Sequence, residues 1–434
     1  MFGVTVEFSL TLTGSVLATM PFGDAQDIYE LTVQAGQVVT VSTTTPLAGG
    51  VSQDLDPLLN VYLPDGTLLI TEAGSLEGGN ARVSFLAPTS GVYQIGVAAE
   101  SGFGEYELLV DDIQSPLVLA PDAVTPALTN LVWTGTPGAD HILFTQIDPT
   151  TIQAALLAWN GAAAAGQFSF TGVTGRVIGE ALAGSDVIDG SALTTTSAEF
   201  RGGLGTDTVL GGAADDLLEG DADGAEGADY IDGGAGDDTI FGDGAEGGDD
   251  TIYGGSGNDF IDTGGGNDWA DGGEDDDILL GGDDAAHQFD GGEGSSDDTL
   301  FGGNGRDILI GDGGLSGLPF EDAGSDLLDG GQGEDLIVAG HYLPGTMADY
   351  NTLQQAWLAG DPFADRVAAI SGTIFQPGVN LYNDEADPAP THFVDQVVGG
   401  DDLDWLLYDF TQDVDDATAT ELTHAVDLSL FPRT

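Results

Sequence analysis

The chain has no cysteine and no lysine, and its 434 residues include only six basic ones, all arginine. Without cysteine there are no disulfide staples, no thiolate zinc sites and no cysteine nucleophiles. Six cations against 74 acids leave a formal charge of −68. That excludes a nucleic-acid or anionic-membrane binder, because a phosphate surface would be repelled at every approach. No run of 18 apolar residues exists, so no membrane-spanning helix is expected. Five histidines lie far apart and none belongs to an HExxH; no GxSxG elbow and no Walker loop occurs. The glycine-rich loops lack lysine and are flanked by acids, the wrong sign for phosphate. Paired carboxylates abound, but binding of a hard divalent metal explains them more simply than acid–base chemistry. No enzymatic role is expected. Residues 1–10 alternate apolar and polar without a basic segment and read as a strand, not a signal peptide. Any export signal lies elsewhere, or the chain is a segment of a longer product.

What is abundant is glycine and acid, unevenly placed. Residues 201–340 hold 37 of the 74 acids and 40 of the 69 glycines. A hydrophobic content of 41% argues against the disorder that such acidity otherwise implies. Composition divides the chain into 1–112, 113–200, 201–340 and 341–434, and the expected class is all-β.

Residues 1–112 carry short runs rich in β-branched and aromatic residues at 28–33, 38–41, 58–63, 68–70, 83–86, 92–97 and 106–110. Turn signals such as Ala35-Gly36 and Pro64-Asp65-Gly66 separate them, which predicts a β-sandwich. The pieces Asp27-Ile28-Tyr29, Ala35-Gly36-Gln37, Asp54-Leu55-Asp56-Pro57, Leu63-Pro64-Asp65-Gly66 and Ser90-Gly91-Val92-Tyr93 resemble the bacterial pre-peptidase C-terminal domain. That resemblance implies a jelly-roll-like accessory module of secreted proteins. Some such modules bind calcium, and Asp54 and Asp56 are the candidates; the alternative is that both cap loops by bonding to backbone. Residues 113–200 begin with a proline-punctuated linker (Pro116, Pro121, Pro126) and continue as short strands, an irregular cap for the open end of a solenoid.

From Gly202 the sequence has a period of nine, set by Gly202-Gly203-Leu204-Gly205-Thr206-Asp207-Thr208-Val209-Leu210. The pattern GGxGxDxUx, with U a large apolar residue, recurs at 233–241, 254–262, 302–310 and 330–338, with looser and longer copies between. It resembles the calcium-binding nonapeptide of RTX, or hemolysin-type, proteins. The glycines permit a tight loop with inward carbonyls, position six supplies a carboxylate, and xUx is a minimal strand. Two nonapeptides make one coil of a parallel β-roll. Loops two repeats apart then lie ~4.8 Å from each other, and their oxygens supply the six or more hard ligands that Ca²⁺ takes. Unit charges at that spacing repel by ~1 kcal/mol in water and ~3.5 kcal/mol at an effective dielectric of 20. The metal is therefore expected to be structural, with binding free energy serving as folding free energy.

Alternation assigns Asp207, Asp229, Asp250, Asp268, Asp307 and Asp335 to one edge, with a gap at His287 in a unit 281–290. The other edge takes Asp216, Asp238, Asp259, Asp277, Asp298 and Asp326. Counting adjacent pairs gives up to nine calcium ions. Trp269 takes an outward position above Ala270, either as a sugar-stacking platform or packed against the C-terminal region. Glu226, Glu246 and Glu321 in inserted loops are extra ligands or solvated charge.

In 341–434, Thr346 to Gly360 reads as an amphipathic helix with Met347, Tyr350, Leu353 and Trp357 on one stripe. Asp361-Pro362 starts a second helix, and the pair is expected to cap the end of the roll. Residues 395–407 return to the repeat pattern. The RTX resemblance implies a secreted, extracellular protein, with any type I secretion signal in the tail 421–434. Three roles follow: a non-enzymatic calcium-folded module, an adhesin for cell-surface or extracellular polysaccharide, or the non-catalytic part of a larger secreted hydrolase.

Overall fold

The computed structural model describes residues 15–20, 26–44, 55–73, 80–101, 104–221, 227–243, 247–282, 297–311, 326–338, 341–342, 347–359, 381–382, 396–398, 405–408, 414–415 and 426–427. The chain divides into two compact units, residues 1–187 and 188–434. The all-β expectation holds in both.

The first unit opens with two antiparallel sheets. One orders Asp27–Val33, Gly91–Ser101, Asp56–Tyr62 and Leu68–Ala73 side by side. The other runs Ser15–Met20, Gly104–Gln114, Val38–Thr44 and Arg82–Leu86. Alternation drives the packing: Tyr29, Leu31 and Val33 turn inward and meet Val39, Val41, Leu59, Val83, Phe85, Tyr93 and Tyr106 in one buried core. Within it the Tyr29 and Tyr106 hydroxyls bond at 2.7 Å, and Tyr106 donates to Asp27 Oδ2 at 2.6 Å. Burial then pushes the Tyr106 phenol up.

The stretch read as a linker contains a strand, Leu117–Pro121, paired antiparallel with Thr129–Thr134. Pro121 sits there on a sheet edge, where its missing N–H costs no ladder bond. Strands His141–Asp148, Thr151–Trp159 and Gln167–Thr171 form an antiparallel meander. Thr151–Trp159 was not anticipated from sequence. Its inward set of Ile152, Ala154, Leu156 and Trp159 is buried, but alanine-rich TIQAALLAW has weak β-propensity.

The second unit is a roll of two parallel sheets. One stacks Thr208–Leu210, Tyr230–Ala235, Thr251–Ser256, Trp269–Glu274, Thr299–Asn304, Leu327–Gln332, Gln396–Val398 and Val414–Asp415. The other stacks Ala198–Arg201, Leu217–Glu219, Thr239–Phe241, Phe260–Asp262, Ile278–Leu280, Ile308–Ile310, Leu336–Val338, Trp405–Tyr408 and Val426–Asp427. The central residue of each triplet points between the sheets. Val209, Ile231, Ile252, Ala270, Leu300 and Leu328 are buried from one side, and Phe200, Leu218, Ile240, Ile261, Leu279, Leu309 and Ile337 from the other. Gln396–Val398 and Trp405–Tyr408, from the late repeat, extend these sheets in register, and Val414–Asp415 and Val426–Asp427 add one more strand to each.

The helix, Met347–Trp357, lies within the predicted span, with Tyr350, Leu353 and Trp357 buried. It rests on the outer face of the second sheet and not over the roll's end. Tyr350 meets Phe260 with ring centroids 6.0 Å apart, Gln354 Nε2 donates to the Asp276 carbonyl at 3.0 Å, and Arg306 donates to the Leu358 carbonyl at 3.4 Å. On that side Ile278–Leu280, Ile308–Ile310 and Leu336–Val338 are buried at all three positions, whereas Leu217–Glu219 buries only its centre. The second helix expected after Asp361 lies outside the described residues.

Candidate metal centres

Each plain repeat makes its turn by left-handed glycines, as at Gly255 (φ +114°) and Gly257 (φ +124°). A β-carbon on Gly257 would collide with the Gly236 carbonyl of the neighbouring coil, so close stacking requires glycine there. The turn delivers the position-six aspartate to the roll's edge with its carboxylate inward.

These aspartates join head to tail. On the first edge, the N–H of Asp207 donates to Asp229 Oδ1 (2.7 Å), Asp229 to Asp250 (2.8 Å), Asp250 to Asp268 (2.8 Å), Asp268 to Asp298 (2.9 Å) and Asp298 to Asp326 (3.0 Å). On the second, Asp216 donates to Asp238 (2.7 Å), Asp238 to Asp259 (2.8 Å), Asp259 to Asp277 (2.8 Å), Asp277 to Asp307 (2.9 Å) and Asp307 to Asp335 (2.9 Å). All twelve are buried.

The edge assignment from sequence is corrected beyond Gly281. Asp298 and Asp326 continue the first edge, and Asp307 and Asp335 the second. The reason is that 281–298 is one unit with a long insertion, not a repeat of 281–290 followed by another. The parallel register Trp269↔Thr299 and Ile278↔Ile308 fixes this. The gap expected at position 287 therefore vanishes, and five rungs form on each edge; His287 itself lies outside the described residues.

In each row, every aspartate after the first thus has a backbone donor on Oδ1. Oδ2 of Asp229, Asp238, Asp250, Asp259, Asp277 and Asp307 is buried with no hydrogen-bond partner. Burial, with neighbouring negative charge adding to it, pushes these carboxyls far above the usual range. Asp229, Asp259 and Asp307 rise to about 7, Asp238 to about 8, and Asp250 and Asp277 to about 10. Asp216 reaches about 6, since it also accepts the Ala198 and Gly212 N–H groups at 2.6 Å. Two rows of inward, unpartnered oxygens suit a hard cation: the donor set is all oxygen, and the desolvation that raises the carboxyls is what an ion offsets.

Position five makes a second, exposed ladder. Asp237, Asn258 and Asp276 bond from coil to coil, and Arg306 ends it with its N–H on Asp276 at 2.9 Å.

Several aspartates outside the twelve assigned from the repeat are buried or share its linkage. Asp140 and Asp186, in the first unit, are linked as the ladder residues are, the Asp140 N–H donating to Asp186 Oδ1 at 2.5 Å. The signal was Ala183-Gly184-Ser185-Asp186-Val187-Ile188, a degenerate repeat. Asp221 and Asp243 follow the first glycine of inserted units, where plain units carry a second glycine; both are pushed up by burial, to about 7 and about 8. Asp56 has a buried Oδ1 without a partner, while Asp54, Glu226, Glu246 and Glu321 lie outside the described residues. Trp269 packs within its own sheet, its ring 4.9 Å from Tyr253 and 5.7 Å from Phe301.

Parallel sheets joined by glycine turns, with carboxylate ladders along both edges, define a calcium-binding β-roll. The comparisons agree. Residues 201–223, 222–246, 245–270, 254–285, 290–314 and 322–340 match the family model of the RTX calcium-binding nonapeptide repeat (4 copies). Residues 25–99 match that of the bacterial pre-peptidase C-terminal domain. Both are non-catalytic modules. A crystal structure of the pre-peptidase C-terminal domain of a collagenase from Bacillus anthracis is 19% identical, covering 24% of this chain and 96% of that one, with a TM-score of 0.20. No curated protein matches the chain. Among the described residues no helix is long and apolar enough to cross a membrane.

Proposed function

We propose that this is a secreted, non-enzymatic structural protein whose roll folds when calcium enters the rungs between successive aspartates. The ions would be held by Asp207, Asp229, Asp250, Asp268, Asp298 and Asp326 on one edge and Asp216, Asp238, Asp259, Asp277, Asp307 and Asp335 on the other, with loop carbonyls completing each set. The observation that carries this is the row of buried Oδ2 atoms with no donor. Such sites suit an extracellular setting, where calcium modules work with Kd values of about 10⁻⁴–10⁻³ M. Equilibrium dialysis of metal-stripped protein tests it. Uptake approaching one ion per rung is expected, and two ions or fewer within residues 201–340 would contradict it.

A second reading, in which the roll also carries a neutral polysaccharide, is supported by the first sheet's outer face. Tyr230, Tyr253, Trp269 and Phe301 zigzag across successive strands. Trp269 and Phe301, with Asp271 and Asp329, line a hollow of about 320 Å³. Aromatic faces stack on sugar rings and carboxylates accept from vicinal hydroxyls, whereas the charge of −68 repels polyanions. A glycan array on the calcium-loaded chain should show binding that Trp269→Ala reduces at least tenfold. Absence of binding to every neutral glycan defeats this second reading and leaves the first intact.

A further inference from the structure

Asp221 differs from every ladder aspartate. Both of its oxygens are buried and neither makes a hydrogen bond, although the residue is only 2% exposed. A weak interaction with the Gly205 N–H offsets only a little of the effect of burial. Carboxylate oxygens of Asp207, Asp221 and Asp229 lie within 4.8 Å of one another, so three negative groups converge on one buried point. A β-carbon on Gly227 would sit 2.6 Å from Asp221 Oδ2 and would also strike the Gly205 carbonyl. The space at the site is thus oxygen-lined on several sides and kept open by a glycine.

The neighbouring inserted unit supplies the contrast. Asp243 holds the corresponding position, but its carboxylate accepts the Gly248 N–H at 2.8 Å and the Gly265 N–H at 3.2 Å. A loop aspartate at this position can therefore be satisfied by backbone, and Asp221 is not. Nor does the turn itself need Asp221, since plain units carry glycine there, as at Gly203 and Gly234. Three converging buried carboxylates, one of them with no partner for either oxygen, must be neutralised by protons or by a cation, and above neutral pH the cation is the better of the two.

We propose that Asp207, Asp221 and Asp229 form a calcium site of a separate class, with three carboxylates where an ordinary rung has two. It fills before the rest of the roll. Affinity for calcium rises with the number of charged ligands and with the rigidity of the site. Asp207 and Asp229 are already fixed by their mutual ladder bond of 2.7 Å. This inference rests on the calcium reading above and deepens it by ranking the sites.

A competition titration of the full, metal-stripped chain with calcium against a chromophoric chelator reads the tightest step directly. Asp221→Asn and Asp221→Gly are both used, because the glycine variant restores the plain repeat and keeps the test valid if the amide disturbs folding. The expected result is one ion fewer in the tightest class, with the first dissociation constant raised at least tenfold and the later steps retained. An unchanged first step and ion count in both variants would overturn the ranking while leaving the calcium reading standing. A parent chain that takes up no calcium would overturn both.

Discussion

Stripping the protein of calcium at neutral pH is expected to abolish the β-signal of residues 201–340 and open them to protease, while the N-terminal sandwich keeps its own. Between its sheets the roll has one apolar residue per triplet, with further apolar rows only under the helix, against buried carboxylates repeated along both edges. At neutral pH a metal-free rung must either carry two charges, which repel by ~3.5 kcal/mol at strand spacing and an effective dielectric of 20, or keep a proton that the unfolded chain gives up. A few unrelieved rungs are enough to cancel the ~5–15 kcal/mol by which an ordinary domain is stable. The sandwich is expected to stay folded, because Leu31, Val39, Leu59, Phe85, Tyr93 and their neighbours form one apolar core. Far-UV circular dichroism and limited proteolysis, with chelator and after calcium is restored, check this. A compact, protease-resistant 201–340 in metal-free protein at pH 7.5 would refute the structural role of the ion.

Acid substitutes for calcium. In the metal-free fold Asp250 and Asp277 hold their protons up to about pH 10, and Asp229, Asp259 and Asp307 to about 7. Their unfolded values are near 3.9. Below that value both states are protonated and the fold carries no charge penalty. As pH rises above it the unfolded chain loses protons first, so metal-free stability falls with pH until each raised folded value is passed. At pH 7 a single group of the Asp250 kind has lost about 4 kcal/mol, and Asp250 and Asp277 together match a typical domain's whole stability. Net repulsion follows the same direction, since it vanishes near the isoelectric point of about 4.1. Metal-free protein is therefore expected to show roll-like circular dichroism near pH 4 and to lose it before pH 7. A metal-free spectrum that does not change between pH 4 and 8 would show that the ladder carboxyls do not govern folding.

Much of this was legible in the sequence because the nonapeptide is a local rule. Glycine at fixed positions makes the turn, aspartate at the sixth faces inward, and the residue two further on enters the core. Val209, Ile240 and Ile261 could be assigned to the core on that basis alone. The rule fails where its spacing is interrupted. Between Gly281 and Asp298 composition does not distinguish an extra repeat from an insertion, and only strand register decides which edge Asp298 joins. Asp221 was passed over because it occupies a glycine's place. Thr151–Trp159 was hidden by its alanines, and the final strands Val414–Asp415 and Val426–Asp427 are too short to announce themselves. The helix was readable from the stripe of Tyr350, Leu353 and Trp357, but its resting place was not, since that depends on the apolar outer rows begun by Phe260 and Leu280.

The head-to-tail linkage of the aspartates has a consequence for failure. Each backbone amide reports only to the next carboxylate in line, so the array behaves as a one-dimensional lattice with nearest-neighbour coupling. Order spreads from whichever coil forms first, as dominoes transmit a push, and no distant contact must wait to close. Damage to one link then splits the array into two shorter segments, each still able to propagate from its own end.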